Sequence, residues 1–260
     1  MKIALIDSGI GLLAAAAALR RMRPDASLVL ASDPGGMPWG PRTPEDITAR
    51  ARACARAAAA QRPDALIVAC NTATVHALDA LRAEFEPDLP VVGTVPAVKP
   101  AAAGGGPLAV WATPATTASP YQRRLIREFA AGTPATPVPC HGLADAIERA
   151  DDAAIDAALA AAAALTPPDT RALVLGCTHY ELVADRIRSH LPAAADRPVA
   201  LHGSATAVAA QALRRLGTAA DPAAPATGRL TVLAGGEEAT LPEAVRRYPE
   251  AQALLRAPVG

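Results

Sequence analysis

One stretch that the chain carries twice restricts its fold more than any other feature. Asp64-Ala65-Leu66-Ile67-Val68-Ala69-Cys70-Asn71-Thr72-Ala73 is matched, 107 positions later, by Arg171-Ala172-Leu173-Val174-Leu175-Gly176-Cys177-Thr178-His179-Tyr180. Each is a short apolar run followed by a segment of helical composition, so each predicts a buried strand that hands over to a helix at its cysteine. A second pair strengthens the first. Lys2-Ile3-Ala4-Leu5-Ile6 before the turn Asp7-Ser8-Gly9 corresponds to Pro107–Ala112 before Thr113-Pro114-Ala115-Thr116-Thr117, at an offset of 105. Two matched pairs at nearly one offset predict a duplicated unit.

Strand and helix signals alternate along the rest. After strand 2–6 comes a helix over 12–22, then a strand over 28–31 and a Gly- and Pro-rich loop over 32–41. Thr43 and Pro44 read as the N-cap and first position of a helix running to about Gln61. The strand before Cys70 is followed by a helix to about Phe85 and a strand over 90–93. Residues 94–106 read as a crossover. The second half gives a strand over 107–112, a helix over 121–130, a strand near 136–140 and an alanine-rich helix over 152–165. After Cys177 a helix to about Leu191, a strand over 198–201, a helix over 205–216, a strand over 229–234 and a helix over 241–247 complete the series. This order predicts an α/β protein of two pseudo-symmetric, doubly wound, parallel-sheet domains with the active site in the cleft between them. We place the halves at 1–97 plus 206–260 and at 98–205.

Composition narrows the function. The 25 basic and 25 acidic side chains cancel and aromatic residues make up only 3% of the chain. It therefore lacks the basic footprint and the stacking platforms by which nucleic acid is held, and nucleic acid is not expected as a partner. Cys54, Cys70, Cys140 and Cys177 form no CxxC pair, which points to free thiols in a reducing compartment and away from a metal site. Residues 1–22 do not read as a leader, because Asp7 and two glycines interrupt the apolar run and Arg20-Arg21 occupies the place of a cleavage site. The alanine-rich tract 157–164 follows Asp156 and is too short to span a membrane. A cytoplasmic protein with no membrane partner is expected.

In open α/β sheets ligands bind beyond the C-terminal ends of the strands. Asp7, Ser8, the 33–40 loop, Cys70, Thr113, Thr116, Cys177 and His179 fall there. A helix N-terminus favours thiolate over thiol. Cys177 with His179 alone suggests a nucleophile for acyl transfer. Two thiols in equivalent half-sites suggest acid/base work on opposite faces of one carbon. Asn71, Thr72, Thr178 and His179 bring donors and acceptors that a dry core would leave unmatched, which argues against mere packing. By contrast Cys54 reads as a small buried residue, Cys140-His141 as structural, and His76, His190 and His202 as surface or supporting groups.

Asp7-Ser8-Gly9, Pro38-Trp39-Gly40, Ala69-Cys70-Asn71-Thr72-Ala73, Val92-Gly93-Thr94-Val95-Pro96-Ala97-Val98-Lys99-Pro100 and Leu175-Gly176-Cys177-Thr178-His179-Tyr180, taken together and in order, resemble the motifs of the glutamate racemases of the aspartate/glutamate racemase superfamily. The resemblance implies a cofactor-independent isomerase that interconverts L- and D-glutamate and supplies the D-isomer for peptidoglycan. It implies that Cys70 and Cys177 are the two catalytic bases, with Asp7 assisting the first and His179 the second. Ser8, Trp39, Gly40, Asn71, Thr72, Thr113, Thr116 and Thr178 match substrate-contacting positions, and Glu148 matches a carboxylate near the second base. No cofactor and no metal are expected; the partner is a small amino acid, and a homodimer is possible. Leu12, Gly36, Trp39, Ala115 and Gly203 stand where the family usually carries other residues. An aspartate racemase, another superfamily isomerase, or a silent dicarboxylate-binding paralogue are the alternatives.

Overall fold

The computed structural model describes residues 1–191 and 198–256. Its first elements are β1 (Lys2–Asp7), α1 (Leu12–Met22), β2 (Ser27–Ser32), α2 (Pro44–Ala59), β3 (Ala65–Val68), α3 (Asn71–Phe85), β4 (Val91–Gly93) and α4 (Val98–Ala103). Next come β5 (Leu108–Ala112), α5 (Pro114–Thr117), α6 (Pro120–Phe129), β6 (Ala135–Pro139), α7 (Leu143–Glu148), α8 (Asp152–Ala164) and β7 (Ala172–Leu175). A 3-10 helix over Thr178–Val183 leads into α9 (Ala184–His190), β8 (Ala200–His202) and α10 (Ala205–Arg215). The chain closes with β9 (Leu230–Ala234), β10 (Glu237–Ala239), a 3-10 helix over Glu243–Arg247 and α11 (Pro249–Leu255). Two compact units result, one formed by Met1–Val95 with the chain from Ala205 onward, the other by Pro96–Ser204.

Among the described residues each unit holds one sheet. The orders are β10-β9-β2-β1-β3-β4 and β6-β5-β7-β8. Within them β2-β1-β3-β4 and β6-β5-β7-β8 are all parallel and follow the same winding, outward to one neighbour and then back past the start to the other. That is the doubly wound α/β pattern, and it occurs twice. All residues of β3, β5 and β7 are buried, as parallel strands covered on both faces must be, which explains their unbroken apolar runs.

Departures from the expected parallel order lie at the chain's end. β10 pairs antiparallel with β9; Gly235 and Gly236, at φ 60° and 92°, make the tight turn that reverses the strand. Only a 3-10 turn forms where a helix over 241–247 was expected, and Pro249 opens α11 instead. The expected crossover over 94–106 contains α4, whose Pro100 lies in its first turn, where no intrahelical N–H is required.

Local sequence accounts for most of the other elements. Thr43 caps α2 by accepting the Asp46 N–H at 3.3 Å, with Pro44 at the first position. Asp151 caps α8 by accepting the Ala154 N–H at 3.1 Å. Residues Leu12 to Leu19 of α1 are all buried, including the run Ala14–Ala18, and α1 packs on α10 and α11. At the edge strand β6 the Cys140 N–H donates to Ala112 O on β5. Alternation therefore turns the missing N–H positions of Pro137 and Pro139 outward, where no ladder partner needs them.

Thr43→Ala should remove one cap bond and lower unfolding free energy by about 1 kcal/mol, with no change in denaturant m-value. Urea titration followed by circular dichroism measures both.

Candidate active site

In the first unit the strand ends assemble one half-site. The Ala69 N–H donates to Ile6 O at 2.8 Å, the last bond between β1 and β3, so the next residues, Asp7 and Cys70, leave adjacent strands at one edge. Asp7 is fully buried. Its Oδ1 accepts the Ser8 N–H at 2.6 Å and lies 3.1 Å from Ser8 Oγ, which donates to it. Cys70 is the N-cap residue of α3, in an extended conformation with φ −135° and ψ 122°, and its side chain makes no cap bond. Asn71, buried, and Thr72, half-buried, form the first turn of that 15-residue helix. The orphan N–H groups and the positive end of the dipole therefore face the thiol and any anion beside it.

Trp39 and Gly40 sit on the loop that follows β2. Asp33 N–H donates to Ser8 O at 3.2 Å and ties that loop to the Asp7-Ser8 turn. Asp33 Oδ2 accepts from Trp39 Nε1 and from Arg50 Nη1, both at 3.0 Å. Arg42 Nε donates to Gly36 O at 2.6 Å. A Cβ at 36 would lie 1.9 Å from Asp33 Oδ2, so glycine there admits the hub carboxylate. The structure places the Trp39 indole, 1% exposed, in the core packed around Ala4, Ile6, Val29 and Ile47. Leu12 is likewise core.

The second unit builds a half-site of the same backbone and different chemistry. The Gly176 N–H donates to Trp111 O at 2.7 Å, the counterpart of the Ala69 bond. Cys177 follows at φ −134° and ψ 134°, again extended, again an N-cap without a side-chain cap bond. Its helix, however, is a six-residue 3-10 turn. Thr178, His179 and Tyr180 are buried in it. His179 Nε2 lies 2.9 Å from Glu148 Oε2 and Nδ1 lies 3.8 Å from Cys177 Sγ. A carboxylate only accepts, so Glu148 selects the Nε2–H tautomer and leaves Nδ1 as the acceptor that faces the thiol. Just after adjacent β5, Thr113 caps α5; its Oγ1 donates to Thr116 Oγ1 at 3.0 Å and accepts the Thr116 N–H at 3.4 Å. Ala115 is exposed on that turn, and Gly203 lies against Glu181.

Of the four thiols two are held inert. Burial, followed by the charges of Asp33 and Asp7, pushes the Cys54 thiol up to about 12. Burial, followed by Cys177, pushes Cys140 up to about 12. Burial also raises the Tyr180 phenol well above its usual 10; its hydroxyl donates to Cys140 O at 3.5 Å. His76 and His141 are exposed, and His190 bonds Arg186 O on a surface helix. Burial lowers His202, favouring its neutral form. The Asp33 hub, Arg50 and the contact of Glu181 with residue 204 escaped the sequence reading. Only the Asp33-Pro34-Gly35-Gly36 loop composition hinted at the first.

Comparison with known proteins supplies the context. A family model described as Asp/Glu/Hydantoin racemase matches residues 12–213. Glutamate racemase from Granulibacter bethesdensis is 39% identical over 233 residues, 86% of this chain and 81% of that protein. Glutamate racemase from Pseudomonas putida W619 is 37% identical over 219 residues, covering 82% and 80%. The structure of Escherichia coli glutamate racemase in complex with L-glutamate and the activator UDP-MurNAc-ala superposes with a TM-score of 0.78 at 27% identity, over 98% of this chain and 92% of that one.

Thiols raised to about 12 stay protonated at pH 8, because a raised value delays loss of the proton to higher pH. A short iodoacetamide pulse at pH 8 should therefore label half-exposed Cys177 well ahead of buried Cys54 and Cys140. Peptide mass spectrometry reads the order, and unfolding in urea should abolish it.

Proposed function

The chain belongs to the Asp/Glu/Hydantoin racemase family, and from that premise we propose that it interconverts L- and D-glutamate by a two-base reaction on Cys70 and Cys177. The observation that carries the proposal is the equivalence of the two cysteines. Both follow the last ladder bond of a central strand, and both are extended N-cap residues. A single nucleophile would need only one such position, whereas inversion at carbon needs an acid and a base.

In each turnover one cysteine acts as thiolate and breaks the Cα–H bond, forming S–H. The electron pair left on Cα delocalises into the carboxylate. The other cysteine, as thiol, gives its proton to the opposite face and becomes the thiolate. Protons balance, and the two sulfurs have exchanged states. Turnover in the reverse direction exchanges their roles. Asp7 serves the Cys70 side. His179, oriented by Glu148, accepts and returns the proton of Cys177 through Nδ1. Ser8, Asn71, Thr72, Thr113, Thr116 and Thr178 provide hydroxyl, amide and backbone N–H groups for the substrate carboxylates and for the charge that develops at Cα. Gly40 presents backbone from a loop that Trp39 and Asp33 anchor. No electron-sink cofactor enters this scheme.

The reading extends to a cytoplasmic enzyme that supplies D-glutamate for peptidoglycan. Its four cysteines are free thiols, the state a reducing compartment maintains, and among the described residues no helix is long and apolar enough to cross a membrane.

Incubation in deuterium oxide with either glutamate enantiomer should give Cα deuteration and racemisation. Cys70→Ser and Cys177→Ser should each cut racemisation on the order of 10³-fold or more, and should impair the two directions unequally. Aspartate and other amino acids run in parallel separate a shifted substrate from lost chemistry. Thermal stabilisation by glutamate without any exchange would sink the enzymatic reading and leave a binding protein.

A further inference from the structure

The turn that carries Cys177 continues as the 3-10 helix Thr178–Val183, a form with weaker hydrogen-bond geometry than an α-helix and little rigidity in so short a piece. Its counterpart after Cys70 is a 15-residue α-helix. The second half-site therefore depends more on bonds from outside its own helix. Glu181, four residues after Cys177, makes such bonds. Its Oε1 accepts the Ser204 N–H at 2.8 Å and the Ser204 hydroxyl at 3.0 Å. Ser204 is 3% exposed, and these charge-assisted bonds are partly buried.

The opposite oxygen of the same carboxylate fits against Gly203. A Cβ at 203 would lie 2.2 Å from Glu181 Oε2 and 2.5 Å from its Cδ. The carboxylate thus fills the volume into which any side chain at 203 would grow. Ser204 immediately precedes the 11-residue helix α10. On the other side, one short turn joins Glu181 to Cys177: Tyr180 is fully buried and its N–H donates to Cys177 O at 3.1 Å.

We propose that Glu181 is a positioning residue for Cys177, bracing the 3-10 turn against the Gly203-Ser204 turn with a carboxylate that stands where a side chain at 203 would be. The inference rests on the racemase reading and adds to it a residue that touches no reacting atom. Cys177, Thr178 and His179 lie on the segment that the brace holds. The Cys70 half-site has a long α-helix in its place, so loss of the brace should be felt on one base only.

Glu181→Ala, Gly203→Asp and the double variant are compared with the parent by deuterium exchange from each glutamate enantiomer and by thermal unfolding. Glu181→Ala should lower kcat on the order of tenfold with KM near the parent value, chiefly in the direction that Cys177→Ser impairs more. Gly203→Asp alone should lower Tm, since it drives one carboxylate onto another. The double variant should regain Tm over Gly203→Asp, because the clash is gone, but not kcat, because a carboxylate carried at 203 makes no bond to the 3-10 turn. An unchanged kcat in Glu181→Ala, an equal loss in both directions, or recovery of kcat in the double variant overturns the inference. Lack of exchange by the parent overturns the racemase reading instead, and recovery or non-recovery of Tm in the double variant then decides the brace by itself.

Discussion

Both half-sites depend on one constraint, the parallel register of β1 with β3 and of β5 with β7. In a parallel ladder every strand leaves the sheet at the same edge, so residues distant in sequence are delivered together. The last bonds, Ala69 N–H to Ile6 O and Gly176 N–H to Trp111 O, fix where each strand lets go. The cysteine comes one residue later in each case. Because strand side chains alternate, a slip of one residue in β3 or β7 would turn the thiol away from its edge. The second unit permits even less freedom, since a Cβ at Gly176 would lie 2.8 Å from Trp111 O.

On this shared frame the two cysteines have unlike company. Cys70 opens a full α-helix, and on the neighbouring strand a buried carboxylate, Asp7, is already engaged with Ser8. Cys177 has a short 3-10 turn and an imidazole that lies between it and Glu148. One side relies on backbone dipoles and the other on side-chain hydrogen bonds. Two equivalent backbone positions are thus equipped by different physical means.

Much of this was legible in the sequence because it is written locally. The apolar runs before Cys70 and Cys177, the Thr43-Pro44 start of α2 and the hydroxyl turn at Thr113 are short-range signals, and each formed the element its residues specify. Longer-range contacts left no such trace. Asp33 meets Arg50 across 17 residues and Glu181 meets Ser204 across 23, separations at which no periodicity survives. Trp39 read as a residue facing the substrate, while its indole lies in the core with its N–H on Asp33. The hairpin at Gly235-Gly236 did carry a turn signal, but β10 is polar and three residues long, too short to show alternation.

The buried run of alanines in α1 has an evolutionary consequence. With Ala14 to Ala18 enclosed between sheet and helices, nearly every direction around that helix is occupied by close-packed neighbours. Enlarging a buried methyl group in close packing of this kind costs about 1–3 kcal/mol of strain. Substitutions at those sites are therefore filtered by size before they are filtered by polarity. Sequence drift in this lineage should leave α1 small while its surface helices change freely, making that helix a slow clock within a faster one.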